Sequence, residues 1–235
     1  MSDTGRAPDP WPVRVAGTAD EEDPRLLADP RGGLQSEPGE ITLLLLRSTR
    51  GVTLGTALVR RPQVVAEIRR IPGIGAVRTS TLGGTVGPGG EHWIGFLAAA
   101  RLPDPCPRPL DRLTDSLRAY LEDRLRPFAV HLTKGRVDRA WCPGFSDLAV
   151  GGRKLAGLGM RLTGGWGLVR GVVAVSPPSP EELRSLDLCH RVFGSGVDAE
   201  RLISLAEIDG LAGIDREGAV RLLGNSPQTP AKMSA

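Results

Sequence analysis

The stretch AWCPGFSDLAVGGRKLAGLGMRL, residues 140 to 162, carries the reading from which the rest of the fold follows. Asp147 to Val150 and Lys154 to Leu162 are two runs of strand-like composition separated by Gly151-Gly152, and a two-glycine bend between such runs predicts a β-hairpin. Lys154 is one of only three lysines, with Lys134 and Lys232, in a chain that has 30 basic residues in all. A composition so strongly biased towards arginine makes a lysine inside an ordered hairpin informative. Its ammonium is a compact point charge on a flexible stem, where arginine presents a wide fork. That suits holding a carbonyl oxygen or an acyl phosphate at close quarters. The competing explanation is a solvated hairpin lysine. Cys142 precedes Pro143-Gly144 in a turn, either as an accessible thiol or as a small buried hydrophobe.

Outward from the hairpin, Leu168 to Val175 returns as an apolar strand. Ile41 to Arg47 (ITLLLLR) is a continuous apolar run of strand length, which predicts a central strand buried on both faces. Further strands are expected at Val52 to Arg60, Gly75 to Thr81, His92 to Leu102 and Ala129 to Thr133. Leu110, Leu113, Leu117, Leu121 and Leu125 recur at helical spacing, so Leu110 to Arg126 is a helix with one apolar face, stopped by Pro127. Shorter helices are expected at Pro62 to Arg70, Pro180 to Phe193, Asp198 to Ile208 and Asp215 to Leu223. Runs of strands broken by single helices indicate an α+β domain with a mixed or antiparallel sheet flanked by helices. The domain is expected to occupy residues 39–224. Residues 1–38, rich in Pro, Asp, Gly and Glu, are expected to be a mostly disordered leader, and residues 225–235 a loose tail.

The chain has 235 residues and a net charge of +3. That charge is unevenly placed. Residues 1–40 hold nine acids and four arginines, which leaves 26 basic against 18 acidic residues in the remainder, a net of +8. Such a surface suits an acidic partner, and the absence of a basic run or an aromatic-interleaved stripe argues against nucleic acid. Three widely spaced cysteines (Cys106, Cys142, Cys189) with no CxxC pair argue against a disulfide framework or a zinc site, and His92, His131 and His190 show no metal-ligand spacing. No apolar run reaches membrane-spanning length and no signal pattern opens the chain, so a cytoplasmic protein is expected. The loop LGGTVGPGG, Leu82 to Gly90, has backbone N–H groups that could face an anion or a carbonyl, or it simply connects two strands.

CPGFSDLAVGGRKLAG, residues 142 to 157, resembles the signature of the biotin/lipoate protein ligase superfamily, in which an aspartate-bearing strand precedes a Gly-Arg-Lys turn. RTSTLGGTV (Arg78 to Val86) is similar to that family's Arg-Arg-x-x-Gly-Gly-Gly-x-Val loop, and VTLG (Val52 to Gly55) to its Leu-Ser-Leu-Gly strand. The resemblance spans roughly Ile41 to Val175 and implies the family's catalytic-domain fold. It implies Lys154 at the acyl carbonyl, with Arg78, Gly83, Gly84, Asp147 and Gly157 as substrate-binding positions. Cys-Pro-Gly before the aspartate strand resembles the octanoyl- and lipoyl-transfer branch, which implies Cys142 as nucleophile, no cofactor, and transfer to a lysine of a lipoyl-acceptor domain of the dehydrogenase E2 or glycine-cleavage H type. The ligase branch would instead use ATP and magnesium, and a relative without catalysis is a third possibility. The chain departs from the family at Thr79, Leu82, Pro88 and Gly159-Met160-Arg161. Those departures remove polar groups that would contact a lipoate adenylate.

Overall fold

The computed structural model describes residues 9–21, 23, 34–80, 82 and 86–224. Gly83, Gly84 and the tail 225–235 lie outside these residues.

Among the described residues ten strands form two sheets. The larger runs in the order β1 (Val13–Asp20), β2 (Ile41–Arg47), β6 (Trp93–Arg101), β10 (Trp166–Ala174), β9 (Arg153–Thr163), β8 (Leu148–Val150), β7 (Thr133–Lys134). β1 and β2 pair in parallel and the other neighbours are antiparallel, so the sheet is mixed. The smaller sheet places β3 (Gly51–Leu54) between β4 (Ala76–Thr79) and β5 (Val86–Gly89). The α+β expectation holds.

The central strands are buried on both faces, which is why their sequences are apolar without alternation. On β6, Ile94, Phe96, Ala98 and Ala100 face a core shared with helix Pro109–Leu125 through Leu113, Leu117 and Leu121. Trp93 faces the opposite way, into a second core with Val52, Leu54, Trp141 and Cys189 under the smaller sheet and helix Pro180–Arg191. Gly171 opposes Phe96 across the β6–β10 pair, and a Cβ there would stand 2.0 Å from the phenyl ring.

The expected leader is corrected where it is described. Val13–Asp20 is a strand, Trp11 and Leu34 are buried, and Glu21 is 4% exposed. Its polar composition reflects an edge strand with one face outward; a parallel partner 28 residues away in sequence leaves no local pattern to read. Val52 to Arg60 is strand only to Leu54, after which Gly55 caps a helical turn at Thr56–Val59. The glycine-rich segment contributes β5 as an edge strand, the one place in a sheet where Pro88 can sit without breaking a ladder. Of the expected strand Ala129 to Thr133 only Thr133 is strand, opening the two-residue β7; Ala129 has φ +53° and closes a 3₁₀ turn. Asp198 to Ile208 forms two 3₁₀ turns in place of a helix, because Ser204 restarts the chain with its own capping box to Glu207. That break lets Ile203 N–H donate to Lys154 O. No helix among the described residues is long and apolar enough to cross a membrane.

Candidate functional site

The Gly151-Gly152 bend forms as expected, both residues having φ in the left-handed region (57° and 79°), and it sends β9 back beside β8. Lys154, near the start of β9, is completely buried. Its ammonium lies 2.7 Å from Asp147 Oδ1 and donates to Trp141 O (2.6 Å) and Cys142 O (3.1 Å). It also sits 4.6 Å from the centre of the Trp141 ring, which packs edge-on against Trp93. An ammonium has three N–H donors and no acceptor, so these three contacts use all of them.

Gly157 makes this geometry possible. A Cβ there would lie 2.9 Å from Lys154 Cε and 3.0 Å from Nζ, so the lysine could not fold back along its own strand. Gly157 and Gly159 pair with Val172 and Arg170 on β10, and their missing side chains leave a cavity over the sheet. Thr53, Gly87, Trp141, Cys142, Lys154 and Arg170 complete its walls. Among the described residues its volume is about 50 Å³, room for a few waters.

Cys142 adopts φ 41°, a conformation that costs energy in any residue with a Cβ. Its backbone is fixed from both sides. The Cys142 N–H donates to His190 Nε2 at 3.2 Å, and its carbonyl accepts from Lys154. Burial, and secondarily the Lys154 charge, pushes the His190 pKa down to about 4, so the ring is neutral at pH 7 and offers Nε2 as an acceptor. Asp147 holds the other end of the loop, accepting from Gly144 N–H (3.0 Å) and Val137 N–H (3.4 Å) through Oδ2. Burial disfavours both charges of the Asp147–Lys154 pair, lowering the lysine pKa and raising that of the aspartate, and each charge opposes that effect on its partner.

The second cation on the cavity, Arg170, donates to Thr53 Oγ1 at 3.0 Å and forms an ion pair with Glu21. Glu21 also accepts from Thr53 Oγ1 (2.7 Å) and lies 3.7 Å from Arg78 Nε. Arg78 donates to Thr49 O at 2.7 Å and is not part of the cavity lining. Of the expected positions, Cys142, Lys154, Asp147 and Gly157 therefore come together, and Arg78 stands behind the cavity. Glu21 and His190 were not foreseen. Glu21 sits in an acidic run that reads as solvated leader, and His190 lies 48 residues from Cys142 on an ordinary amphipathic helix. Among the described residues no cluster of His, Cys, Asp or Glu could hold a metal. Among the described residues, the two cations of the cavity lining, Lys154 and Arg170, each have a buried carboxylate partner, and Glu21 is shared with Arg78 behind the lining.

No protein-family model matches the sequence, and neither does any curated protein. Solved structures do match in fold. A bi-partite lipoate protein ligase from Thermoplasma acidophilum, studied with its E2 lipoyl domain, superposes with a TM-score of 0.58 at 12% identity, over 91% of this chain and 81% of that one. Lipoate-protein ligase A bound with ATP gives 0.56 at 12% identity, over 92% and 83%. P. falciparum LipL1 in complex with lipoate gives 0.55 at 14% identity, over 90% and 60%. With the hairpin, the buried lysine and the mixed sheet all in place, the chain has the fold of the lipoate-protein ligase catalytic domain.

Proposed function

We propose that the chain is an acyltransferase of protein lipoylation, moving an octanoyl or lipoyl group from a carrier thioester to a lysine of a lipoyl-acceptor domain through Cys142. One observation carries this: Cys142 lines a cavity in which, among the described residues, the two cations each have a buried carboxylate partner. A charge-balanced cavity suits a neutral thioester better than a free carboxylate or a polyphosphate.

Cys142 gives its thiol proton to solvent, its thiolate attacks the acyl carbonyl, a new C–S bond forms, and the bond to the donor sulfur breaks, releasing a donor thiolate that takes a proton back from solvent. The acceptor lysine, as free amine, then attacks the acyl-enzyme. The C–S bond to Cys142 breaks, an amide forms, and the amine proton leaves to solvent. Lys154 acts through position: with its N–H groups committed, it fixes the Trp141 and Cys142 carbonyls and so sets the left-handed conformation that presents the thiol. Backbone N–H groups around Gly83 and Gly84 are the proposed donors to the carbonyl oxygen as negative charge develops. The proposed acceptors are lipoyl domains of the dehydrogenase E2 or glycine-cleavage H type.

The second reading, an ATP- and magnesium-dependent lipoate-protein ligase, draws support from the ATP-bound ligase among the structures of like fold. Intact-mass measurement of enzyme and acceptor domain, supplied with octanoyl carrier and with or without ATP, separates the two. Transfer predicts an acyl adduct on the enzyme and on the acceptor without ATP, both lost in Cys142→Ser. Modification that requires ATP and survives Cys142→Ser would replace transfer with ligation.

A further inference from the structure

We propose that Glu21 is a specificity-determining residue: by neutralising Arg170 at the wall of the cavity, it makes the site select an uncharged acyl group and reject the same chain as a free carboxylate. The proposal rests on the acyl-transfer function above and names the chemical form of donor that this site takes.

The placement of Glu21 is built in. It follows directly on β1, and its backbone N–H donates to Arg47 O at 2.8 Å, so the parallel β1–β2 pairing carries it to the end of the sheet beside β3 and β10. There one carboxylate oxygen meets both Thr53 Oγ1 and Arg170 Nη2, while the other faces Arg78 Nε at 3.7 Å. Thr53 and Arg170 line the cavity; Glu21 is 4% exposed and stands behind them. A buried guanidinium requires a counter-charge, and where the protein withholds one it collects an anion, since a fork of N–H donors matches a carboxylate or a phosphate. The Glu21 carboxylate therefore occupies the position of an anionic ligand group. The remaining cation of the described wall, Lys154, is held in the same way by Asp147, so both cations lining the described cavity already have a carboxylate partner, Glu21 being shared with Arg78 behind the wall. At low effective dielectric such a charge difference is worth far more than in water.

Titration calorimetry on the full chain tests this with octanoate, its neutral counterpart octanamide, and inorganic pyrophosphate. The wild-type protein should bind octanamide more tightly than octanoate and bind pyrophosphate negligibly. Glu21→Gln keeps the size of the side chain and its bond to Thr53 and removes the charge. It should tighten octanoate on the order of tenfold or more, leave octanamide within about twofold, and give measurable pyrophosphate binding. An unchanged octanoate-to-octanamide ratio in a folded Glu21→Gln protein would overturn the proposal. Should that variant fail to fold, Arg170→Gln decides: its octanoate binding must weaken further relative to octanamide, and an unaltered ratio sinks the idea. If octanamide binds neither wild-type nor variant, the acyl-transfer function fails, while the pyrophosphate arm still decides whether Glu21 sets the charge.

Discussion

The Lys154 ammonium lies 2.7 Å from Asp147 Oδ1 with the two side chains 0% and 1% exposed, and it gives its remaining hydrogens to the carbonyls of Trp141 and Cys142. One ion pair thus ties the β8–β9 hairpin to the loop that carries the thiol. Removing either partner leaves a buried charge without compensation. Lys154→Met should therefore lower unfolding free energy by about 3–5 kcal/mol, with Asp147→Leu in the same chain restoring most of the loss. Urea unfolding of the single and double variants checks it; additive losses would show that the pair is not coupled. Acyl transfer should stay low in the double variant even where stability returns, because the Cys142 loop has lost its anchor.

Gly157 and Gly151 respond differently to the same substitution. Gly157→Ala drives a methyl to 2.9 Å from Lys154 Cε, and the lysine cannot yield while its nitrogen is held by three acceptors. A loss of about 1–3 kcal/mol and a fall in kcat should accompany each other. Gly151 has φ 57° and open space around its Cβ position, so Gly151→Ala should cost only about 1–2 kcal/mol of backbone strain and leave kcat intact. Thermal unfolding with steady-state transfer assays on both proteins makes the comparison.

Stability should also fall in mild acid through His190. Its folded pKa is lowered from 6.5 to about 4, chiefly by burial. Between those values the unfolded chain binds a proton that the folded chain refuses, so unfolding becomes easier as pH drops through that window. The loss amounts to about 3 kcal/mol, is absent above pH 6.5 and complete below pH 4. In His190→Gln, which keeps an acceptor for the Cys142 N–H, the dependence between pH 7 and pH 4.5 should flatten. Denaturant midpoints across that range measure it; identical slopes in wild type and variant would remove His190 as the cause.

Charge on the outer surface predicts a further behaviour. With β1 and Glu21 counted in the fold the excess is small, a net of +3 over the whole chain, so an acidic acceptor domain should be drawn in only weakly, by an attraction that salt screens. The value of kcat/KM for the acceptor should decline as salt rises from low to physiological strength, with kcat unchanged. Salt-independent kinetics would take surface charge out of acceptor recognition.

Much of this site was legible along the chain, and the reason is local. The two-glycine bend, the lysine set against an arginine-rich background, and the Cys-Pro-Gly turn all fall within the sixteen residues from Cys142 to Gly157, where spacing alone places them on one hairpin. What stayed hidden depends on long-range pairing. Glu21 reaches Arg170 only because β1 lies parallel to β2, and β1 is interrupted by a register shift between Val15 and Gly17 that spoils its alternation. His190 meets Cys142 across 48 residues and looks like any residue on an amphipathic helix. The segment Asp198–Ile208 has the apolar spacing of a helix, but Ser204 caps a new turn midway and its neighbours pair with β9.

The parallel strand β1 has a practical consequence for anyone shortening this protein. A truncation beginning at Gly39, the boundary that amino-acid composition invites, would strip β2 of its parallel neighbour and leave an apolar ladder of unsatisfied amides open to other chains. It would also delete the carboxylate that quiets Arg170. Such a fragment should aggregate, and whatever stays in solution should pick up phosphate from its buffer, so a stickiness introduced by the cut could pass for a nucleotide-binding activity.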